Sequence, residues 1–243
     1  LAAARRTTVG GNVGAYNNFW LDGGTRPTGR TSLIFDPPSG RLPALTPEAE
    51  RMRTDARRAR AEADTWEDLE LNDRCMIWQA GPPMLPSAYN NNVQLFQTPD
   101  HVVILNEMIH EARVVPLDGR APLPDGIRQW MGDSRGRWDG DTLVVESRNY
   151  TDKTGSFYTI IGSFGSGETL HLVERFTRID AETLLYEFIV DDPKTFTQPF
   201  TAAIPMKHSD APLFEYACHE GNYGMTNLLT GARAVEVEAE AGR

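Results

Sequence analysis

Two short stretches decide the fold, NVQLFQTPDHVVIL at residues 92–105 and WDGDTLVV at residues 138–145. In each stretch, β-branched and other apolar residues adjoin a turn sequence, which is Thr98-Pro99-Asp100 in the first and Asp139-Gly140 in the second. Turn residues of this kind next to apolar runs are typical of β-hairpins. The two stretches therefore predict an antiparallel β protein.

The hairpin pattern continues along the chain. Eight strands are predicted, at residues 93–98, 101–116, 127–138, 141–148, 168–178, 183–190, 196–204 and 212–218. Short connections favour neighbouring antiparallel strands, so these strands form a meander. Closing the meander into a small barrel, or folding it into a sandwich, removes or protects its exposed edges. We therefore expect one mainly β, barrel-like domain over residues 74–231.

Three segments flank this domain. Residues 1–45 contain many glycines and prolines and predict an extended arm. Thr46, Pro47 and Glu48 supply an N-cap, a proline for the first turn and an acid, so a helix and a linker are expected over residues 46–73. The acidic tail at 232–243 alternates glutamate with valine and alanine, which indicates an edge strand or a frayed end.

Composition limits the partners. The chain has 243 residues, 40% of them hydrophobic, and a formal net charge of −10. Such a charge repels nucleic acid and anionic lipid, and no apolar run is long enough for a membrane helix, so neither nucleic acid nor membrane insertion is expected. No complete motif for a metal, a nucleotide or a nucleophile occurs, and we predict neither a metal site nor a cofactor.

Two cysteines, Cys75 and Cys218, stand at the start and the end of the predicted strands. Two interpretations stand side by side: one disulfide closing a very long loop, worth about 4–5 kcal/mol in the chain-entropy description, or two separate buried thiols. The segment Leu1-Ala2-Ala3-Ala4 is compatible with the remainder of a processed export signal. We expect an extracellular or periplasmic protein.

Polar residues recur inside the apolar runs and form a candidate catalytic set. Its members are Glu107, His110, His171 and Glu174. Inside a barrel, burial would raise the pKa of Glu174 and make it a general acid or base, with Glu107 as its partner. The competing interpretation is an internal Glu–Arg pair, with Arg113 or Arg175, that fixes strand register. Alternation along 101–116 places Glu107 and Arg113 on one face and His110 on the other.

The β region also carries a series of distinctive motifs. They are Gln97-Thr98-Pro99-Asp100 with the strand after it, Glu107 with residues 110–113, residues 117–120, residues 130–145, Leu170-His171 with residues 174–176, and residues 191–193. This pattern resembles a large uncharacterised family of exported bacterial proteins over residues 74–224. The resemblance implies export and a lipocalin-like β fold, with no reaction attached. The arm departs from that family's usual beginning, so its interpretation rests on this sequence alone.

The arm suggests a structural role. An extended segment can add as a strand to a sheet edge of the next subunit, which makes a filament unless rotation closes a ring. The arm residues with enough β character are Thr7, Thr8, Val9 and the segment from Tyr16 to Leu21, which includes Phe19 and Trp20. We therefore expect an exported subunit that assembles with copies of itself.

The alternative is a β-barrel acid–base enzyme, a lyase, isomerase or hydrolase, or a binding protein for a sugar or small metabolite. Clusters of tyrosine and asparagine, such as residues 88–91, suit stacking on sugars, so a carbohydrate is the second candidate partner.

Overall fold

The computed structural model describes residues 32–78, 81–87, 89–159 and 162–242. Antiparallel strands are the main regular structure, with two α-helices at the flanks. The largest sheet has six strands in the order β1-β11-β10-β9-β6-β5. These strands are β1 (Ile34–Asp36), β5 (Asp133–Asp139), β6 (Thr142–Arg148), β9 (His171–Arg178), β10 (Thr183–Asp191) and β11 (Phe200–Lys207).

A second sheet has three strands in the order β2-β3-β4. Its strands are β2 (Val93–Gln97), β3 (His101–Asn106) and β4 (Ala112–Pro116), so the hairpin at 92–105 is confirmed. A further hairpin joins β7 (Phe157–Thr159) to β8 (Gly162–Phe164). The mainly β, antiparallel class is confirmed. Within the described residues the sheets do not close into a barrel, and the sandwich alternative fits better.

The core lies between the two larger sheets. Every second residue of β3 is buried, and the buried residues of both sheets form one continuous apolar cluster. Its members include Val102, Ile104 and Val115 from the small sheet and Leu143, Val145, Leu172, Phe176, Tyr186 and Phe188 from the large one. Burial of apolar side chains on this scale is the main favourable contribution to folding.

Strand β4 lies beside β5 at one border of the two sheets. A Cβ atom on Gly136 of β5 would come within 2.6 Å of Leu117 Cδ2 and 2.8 Å of Val115 Cγ1. Real Cβ atoms essentially never approach other atoms so closely, so a larger residue at position 136 would displace the side chains of Leu117 and Val115. Gly136 of the 130–145 motif is thus explained by the close packing of β4 on β5.

The described part of the predicted arm belongs to the β domain. Strand β1 pairs with β11, and Leu45 forms a bridge with Phe196. Helix α1 (Pro47–Glu62) begins as the sequence predicts: Thr46 Oγ1 accepts a hydrogen bond from Ala49 N at 3.1 Å, and Pro47 occupies the first turn.

The prediction of an edge strand or frayed end at 232–243 is wrong. Helix α2 (Tyr223–Ala241) covers most of that tail and begins at Asn222, whose side chain accepts from Met225 N. The alternation of glutamate with valine and alanine has the period of a strand. The alanines and glutamates are nevertheless strong helix formers, and Arg233 donates to the backbone carbonyls of Ala63 and Asp64, just after the end of α1.

Three predicted strands also differ from the structure. The strand at 101–116 is interrupted by a short 3-10 turn at Met108–His110, which separates β3 from β4. The strand at 127–138 begins only at Asp133, and 212–218 forms no strand. The run of apolar residues at 212–218 predicted a strand. That segment pairs with no strand of the described sheets, so it stays irregular.

Cys75 and Cys218 form a disulfide, with Cα atoms 5.7 Å apart and a separation of 143 positions in sequence. The bond joins the segment before β2 to the segment after β11. Asn222, the N-cap of α2, donates to Asp73 O at 2.9 Å, so the start of α2 is held at the same place. A disulfide is consistent with an oxidising compartment, because such bonds are rare in reducing ones.

We expect reduction of this disulfide to lower the free energy of unfolding by about 2–5 kcal/mol, because the unfolded chain regains the entropy of a very long loop. Urea unfolding followed by circular dichroism, with and without dithiothreitol, measures the change. The Cys75→Ser/Cys218→Ser variant is the control, since dithiothreitol should leave its midpoint unchanged. An equal midpoint for the oxidised and reduced wild-type protein would contradict the expectation.

Candidate functional site

A buried ion pair joins the two sheets. Arg113 of β4 binds the Glu174 carboxylate of β9 with both terminal nitrogens, through Nη1 to Oε2 and through Nη2 to Oε1 at 3.0 Å. Tyr186 of β10 donates its hydroxyl hydrogen to Glu174 Oε1 at 2.7 Å and accepts from Met84 N at 3.0 Å. Arg113 is 5% exposed and Glu174 and Tyr186 are fully buried, so this is a polar network inside the core.

The electrostatics follow from this geometry. Burial by itself lowers the pKa of Arg113, but the facing Glu174 carboxylate outweighs burial and raises that pKa. Burial, reinforced by the charge of Glu174, raises the pKa of Tyr186 well above its usual value. Arg113 therefore stays charged and Tyr186 stays neutral at any physiological pH. The internal Glu–Arg pair is thus present, with Arg113 rather than Arg175 as the partner.

Alternation along β9 is confirmed. Leu172, Glu174 and Phe176 lie on the buried face, and His171 lies on the opposite, partly exposed face. There His171 Nε2 lies 3.6 Å from Glu146 Oε2 and 3.3 Å from Arg148 Nη2, in a group of surface charges. His171 and Glu174 therefore point to opposite sides of the large sheet.

Glu107 and His110 occupy the corner between β3 and β4. The backbone there leaves the strand: Ile109 has φ 58° and ψ 15°, and His110 has φ 43°. A β-branched residue in this left-handed region is strained, and strain of this kind clusters at functional sites. The prediction that simple alternation sets the faces of 107–113 is wrong, because this turn interrupts the strand.

Glu107 is only 3% exposed, and its carboxylate accepts three hydrogen bonds. Its Oε2 accepts from Asn92 Nδ2 at 2.8 Å and from Asn92 N at 3.3 Å, and its Oε1 accepts from Phe214 N at 2.8 Å. These three donors are neutral. The carboxylate thus ties the start of β2 and the segment after β11 to the corner.

A pocket of about 310 Å³ opens at this corner. Its walls are Leu105, Asn106, Glu107, His110, Leu213, Phe214 and Glu215. Two of the four predicted catalytic residues, Glu107 and His110, therefore line one pocket, while Glu174 lies in the core and His171 on the outer face of the large sheet. The catalytic role of the set stays a prediction.

Sequence reasoning missed several residues of these sites. Tyr186 belongs to an ordinary apolar strand, so nothing in the sequence marked it as the partner of Glu174. Residues 213–215 lie in a segment for which the sequence predicts a strand, so nothing marked them as walls of a pocket. Among the described residues, no three or more His, Cys, Asp or Glu side chains come together in a group that could hold a metal ion.

The small sheet presents an apolar outer face. Phe96 pairs with Val103, and Val103 pairs with Val114, so these three side chains form one row across the sheet. Phe96 is 45% exposed and Val114 is 57% exposed. Strand β2 is the edge beside this row. The predicted assembly residues Thr7, Thr8, Val9, Tyr16, Phe19, Trp20 and Leu21 lie outside the described residues.

Comparisons with family models, curated proteins and solved structures find no match to this chain. The resemblance to an exported family with a lipocalin-like fold therefore stays a prediction. In the described residues neither α-helix has the length and apolar character that crossing a bilayer requires.

We expect Glu174→Gln and Arg113→Met each to lower the free energy of unfolding by about 3–5 kcal/mol, because each leaves one buried charge without its partner. The double variant has no buried charge and should lose less than the sum of the two single losses. Urea unfolding of all four proteins completes a double-mutant cycle. Additive losses would show that the two charges do not stabilise each other.

Proposed function

We propose that this chain is an exported structural subunit that assembles with copies of itself, by adding its N-terminal segment as a strand to a neighbouring subunit. The observation that carries the proposal is the open edge of the small sheet at β2. Val93–Gln97 pairs with β3 on one side only, and no other described strand pairs with it.

The hydrogen-bond pattern identifies the groups on the open side. Thr98 N bonds to His101 O, and Glu107 N bonds to Asn92 O, so the residues of β2 that bond to β3 are the even-numbered ones. The backbone N–H and C=O groups of Val93, Leu95 and Gln97 therefore point away from β3. An added strand would find its partners at these three residues.

Strand β2 lacks the usual protection of an edge. Proteins guard edge strands with charges, prolines, bulges or very short strands. In the two larger sheets, β1 has three residues and an irregular register, β4 carries Arg113 and Pro116, and β5 carries four charged side chains. The sequence VQLFQ of β2 contains none of these devices. It is the edge most suited to pairing.

Charge also favours docking of the N-terminal segment on another copy. Residues 1–31 contain four arginines and one acid, a net charge of +3. The whole chain has a net charge of −10, so residues 32–243 carry a net charge of −13. A basic segment and an acidic body attract each other, which speeds encounter and suppresses wrong partners. The aromatic and aliphatic residues Phe19, Trp20 and Leu21 match the apolar outer row beside β2 in character.

We expect Leu95→Pro to abolish assembly and Leu95→Ala to preserve it. Both variants lose the leucine side chain, but only proline removes the N–H group that faces the open side. The β2–β3 ladder does not use that N–H group, so the domain should remain folded in both. Negative-stain electron microscopy and light scattering, with circular dichroism as the folding control, measure the outcome. Assembly by a folded Leu95→Pro protein would exclude strand addition at β2.

Deleting residues 1–21 should likewise leave a monomer. Regular filaments or rings of the full chain, lost on deletion, are the expected result. A full chain that stays a monomer of 27.1 kDa would contradict the proposal, and a shortened chain that still assembles would exclude the N-terminal segment.

The pocket at the β3–β4 corner favours a second candidate function, binding of a small metabolite or sugar, or acid–base chemistry on it. Glu107 and His110 both line this pocket, and its volume lies at the low end of small-ligand sites. Tyr216, which follows the pocket residue Glu215, forms an aromatic cluster with Trp78 and Tyr89, with ring centroids 5.7–6.3 Å apart. If Glu107→Gln leaves turnover or ligand binding unchanged, the pocket does not have this role.

A further inference from the structure

Helix α2 lies on the surface, and the described part of the chain buries none of its residues. Its 19 residues make a helix about 28 Å long. Polar contacts hold it at two places, through Asn222 at Asp73 O and through Arg233 at Ala63 O and Asp64 O. Helices in proteins owe most of their stability to an apolar face packed against a neighbour. The described contacts supply little of that packing to α2.

The composition of α2 does not compensate for this exposure. Its C-terminal third carries three acids, Glu236, Glu238 and Glu240, at the end where the helix dipole disfavours negative charge. Gly224 and Gly231 lie inside the helix, where glycine is a poor helix former. Among the described residues nothing accounts for Gly231, because a Cβ atom there would meet nothing within 4 Å beyond its own stretch of helix. A partner that approaches closely at Gly231 would account for it.

An apolar row follows one exposed side of α2. Its members recur at spacings of four, three and four residues and share one face of the helix, at Gly224, Leu228, Gly231 and Val235. Leu228 is 45% exposed and Val235 is 65% exposed. The half-buried residues of the helix lie on the next face, at Met225, Leu229 and Ala232. Spacings that alternate between three and four are typical of the seam between two packed helices, so the row indicates a helix as its partner.

We propose that α2 packs antiparallel against α2 of a second copy of this chain, about a two-fold axis. Each large residue of the row then meets a glycine. Leu228 of one copy packs on Gly231 of the other. Val235 packs on Gly224, and the two-fold axis repeats both contacts. The glycines bring the two backbones close enough for the large side chains to fill the space between them.

The charges of α2 favour the antiparallel direction. Its three acids all lie in the C-terminal third, and residues 223–232 carry no charge. In a parallel pair, the three acids of one helix would lie beside the three acids of the other. In the antiparallel register, Glu238 and Glu240 come level with residues 219–221 of the other copy, where the positive end of that helix's dipole lies. That region contains one acid, Glu220, instead of three.

The contact is small, so the dimer is weak. A pair of helices of this length buries less than the roughly 1,200 Å² of a stable specific interface, and we expect a dissociation constant on the order of 100 µM. At low micromolar concentration, α2 therefore does not hold two chains together. The inference goes beyond assembly at β2 and does not depend on it. If that assembly forms, many weak α2 pairs acting together would join two assemblies side by side.

Sedimentation velocity of the full chain carrying Leu95→Pro tests whether the pair forms, because this variant is expected to block strand addition at β2. From about 5 µM to about 500 µM, the protein should change from the 27.1 kDa monomer to a dimer. A monomer at every concentration would overturn the proposal.

Two exposed valines of α2 provide a matched pair of variants. Val235 and Val237 are both 65% exposed, but only Val235 belongs to the apolar row. Val235→Glu should weaken the dimer at least about tenfold, because it places a charge in the seam, whereas Val237→Glu should change it less than about twofold. Gly231→Leu should weaken the dimer as well, and Thr230→Leu, at an exposed position outside the row, is its control. Equal effects within either pair would contradict the assigned face.

A spin label at Glu240→Cys tests the direction in the otherwise unchanged chain. In the antiparallel register, residue 240 of one copy comes level with residue 219 of the other, so the two labels lie about 30 Å apart along the helix axis. In a parallel pair they would lie within about 15 Å. Double electron–electron resonance should give the longer distance, and Val235→Glu should abolish it. The shorter distance, or a distance that survives Val235→Glu, would refute the antiparallel pair.

The spin-label distance separates this inference from the assembly proposal, since it reports α2 pairing whether or not strands add at β2. Filaments of wild-type protein without the 30 Å distance would exclude the α2 pair and leave strand addition standing. The 30 Å distance in a chain that forms no filaments or rings would support the α2 pair and refute strand addition.

Discussion

The Arg113–Glu174 ion pair is the contact on which the relation between the two sheets depends. It crosses from β4 of the small sheet to β9 of the large one, and Tyr186 extends it to β10 and to Met84. An apolar interface tolerates sliding, whereas a bidentate contact between a guanidinium and a carboxylate fixes distance and direction. Buried pairs of this kind contribute little net stability, so we expect its main effect to be the specification of one register between the sheets.

Two other features maintain this arrangement. Gly136 allows β4 to approach β5, and the Glu107 carboxylate joins the corner after β3 to the start of β2 and to Phe214. The small sheet is thereby held along one border and at one corner. Its opposite border, β2, has no described neighbour. The assembly proposal concerns this unpaired border.

The sequence predicted what local patterns determine. The hairpins around Pro99 and Gly140, the N-cap at Thr46 and the buried face of β9 are all confirmed, because turn chemistry, capping and alternation act over a few residues. An internal Glu–Arg pair was also foreseen, since a carboxylate on an apolar face needs a partner. The choice of Arg113 over Arg175 depends on which strands face each other, and no local pattern contains that information.

The failures have the same origin. Glutamate alternating with small apolar residues predicted a strand at 232–243, where helix propensity and the contact of Arg233 with α1 prevail. The left-handed Ile109 breaks the long strand at 101–116, and no residue type announces such a turn. The pocket could not be predicted either, because Glu107 and Phe214 meet only through the path of the chain after β11.

The position of the disulfide bears on how the protein responds to tension. The bond joins residues separated by 143 positions, so every strand from β2 to β11 lies within one covalent loop. A force applied to the two ends of the chain passes directly from Cys75 to Cys218 and does not pull on those strands in series. Most of the contour length is therefore inextensible, and the oxidised β domain would behave under load as a short rigid link.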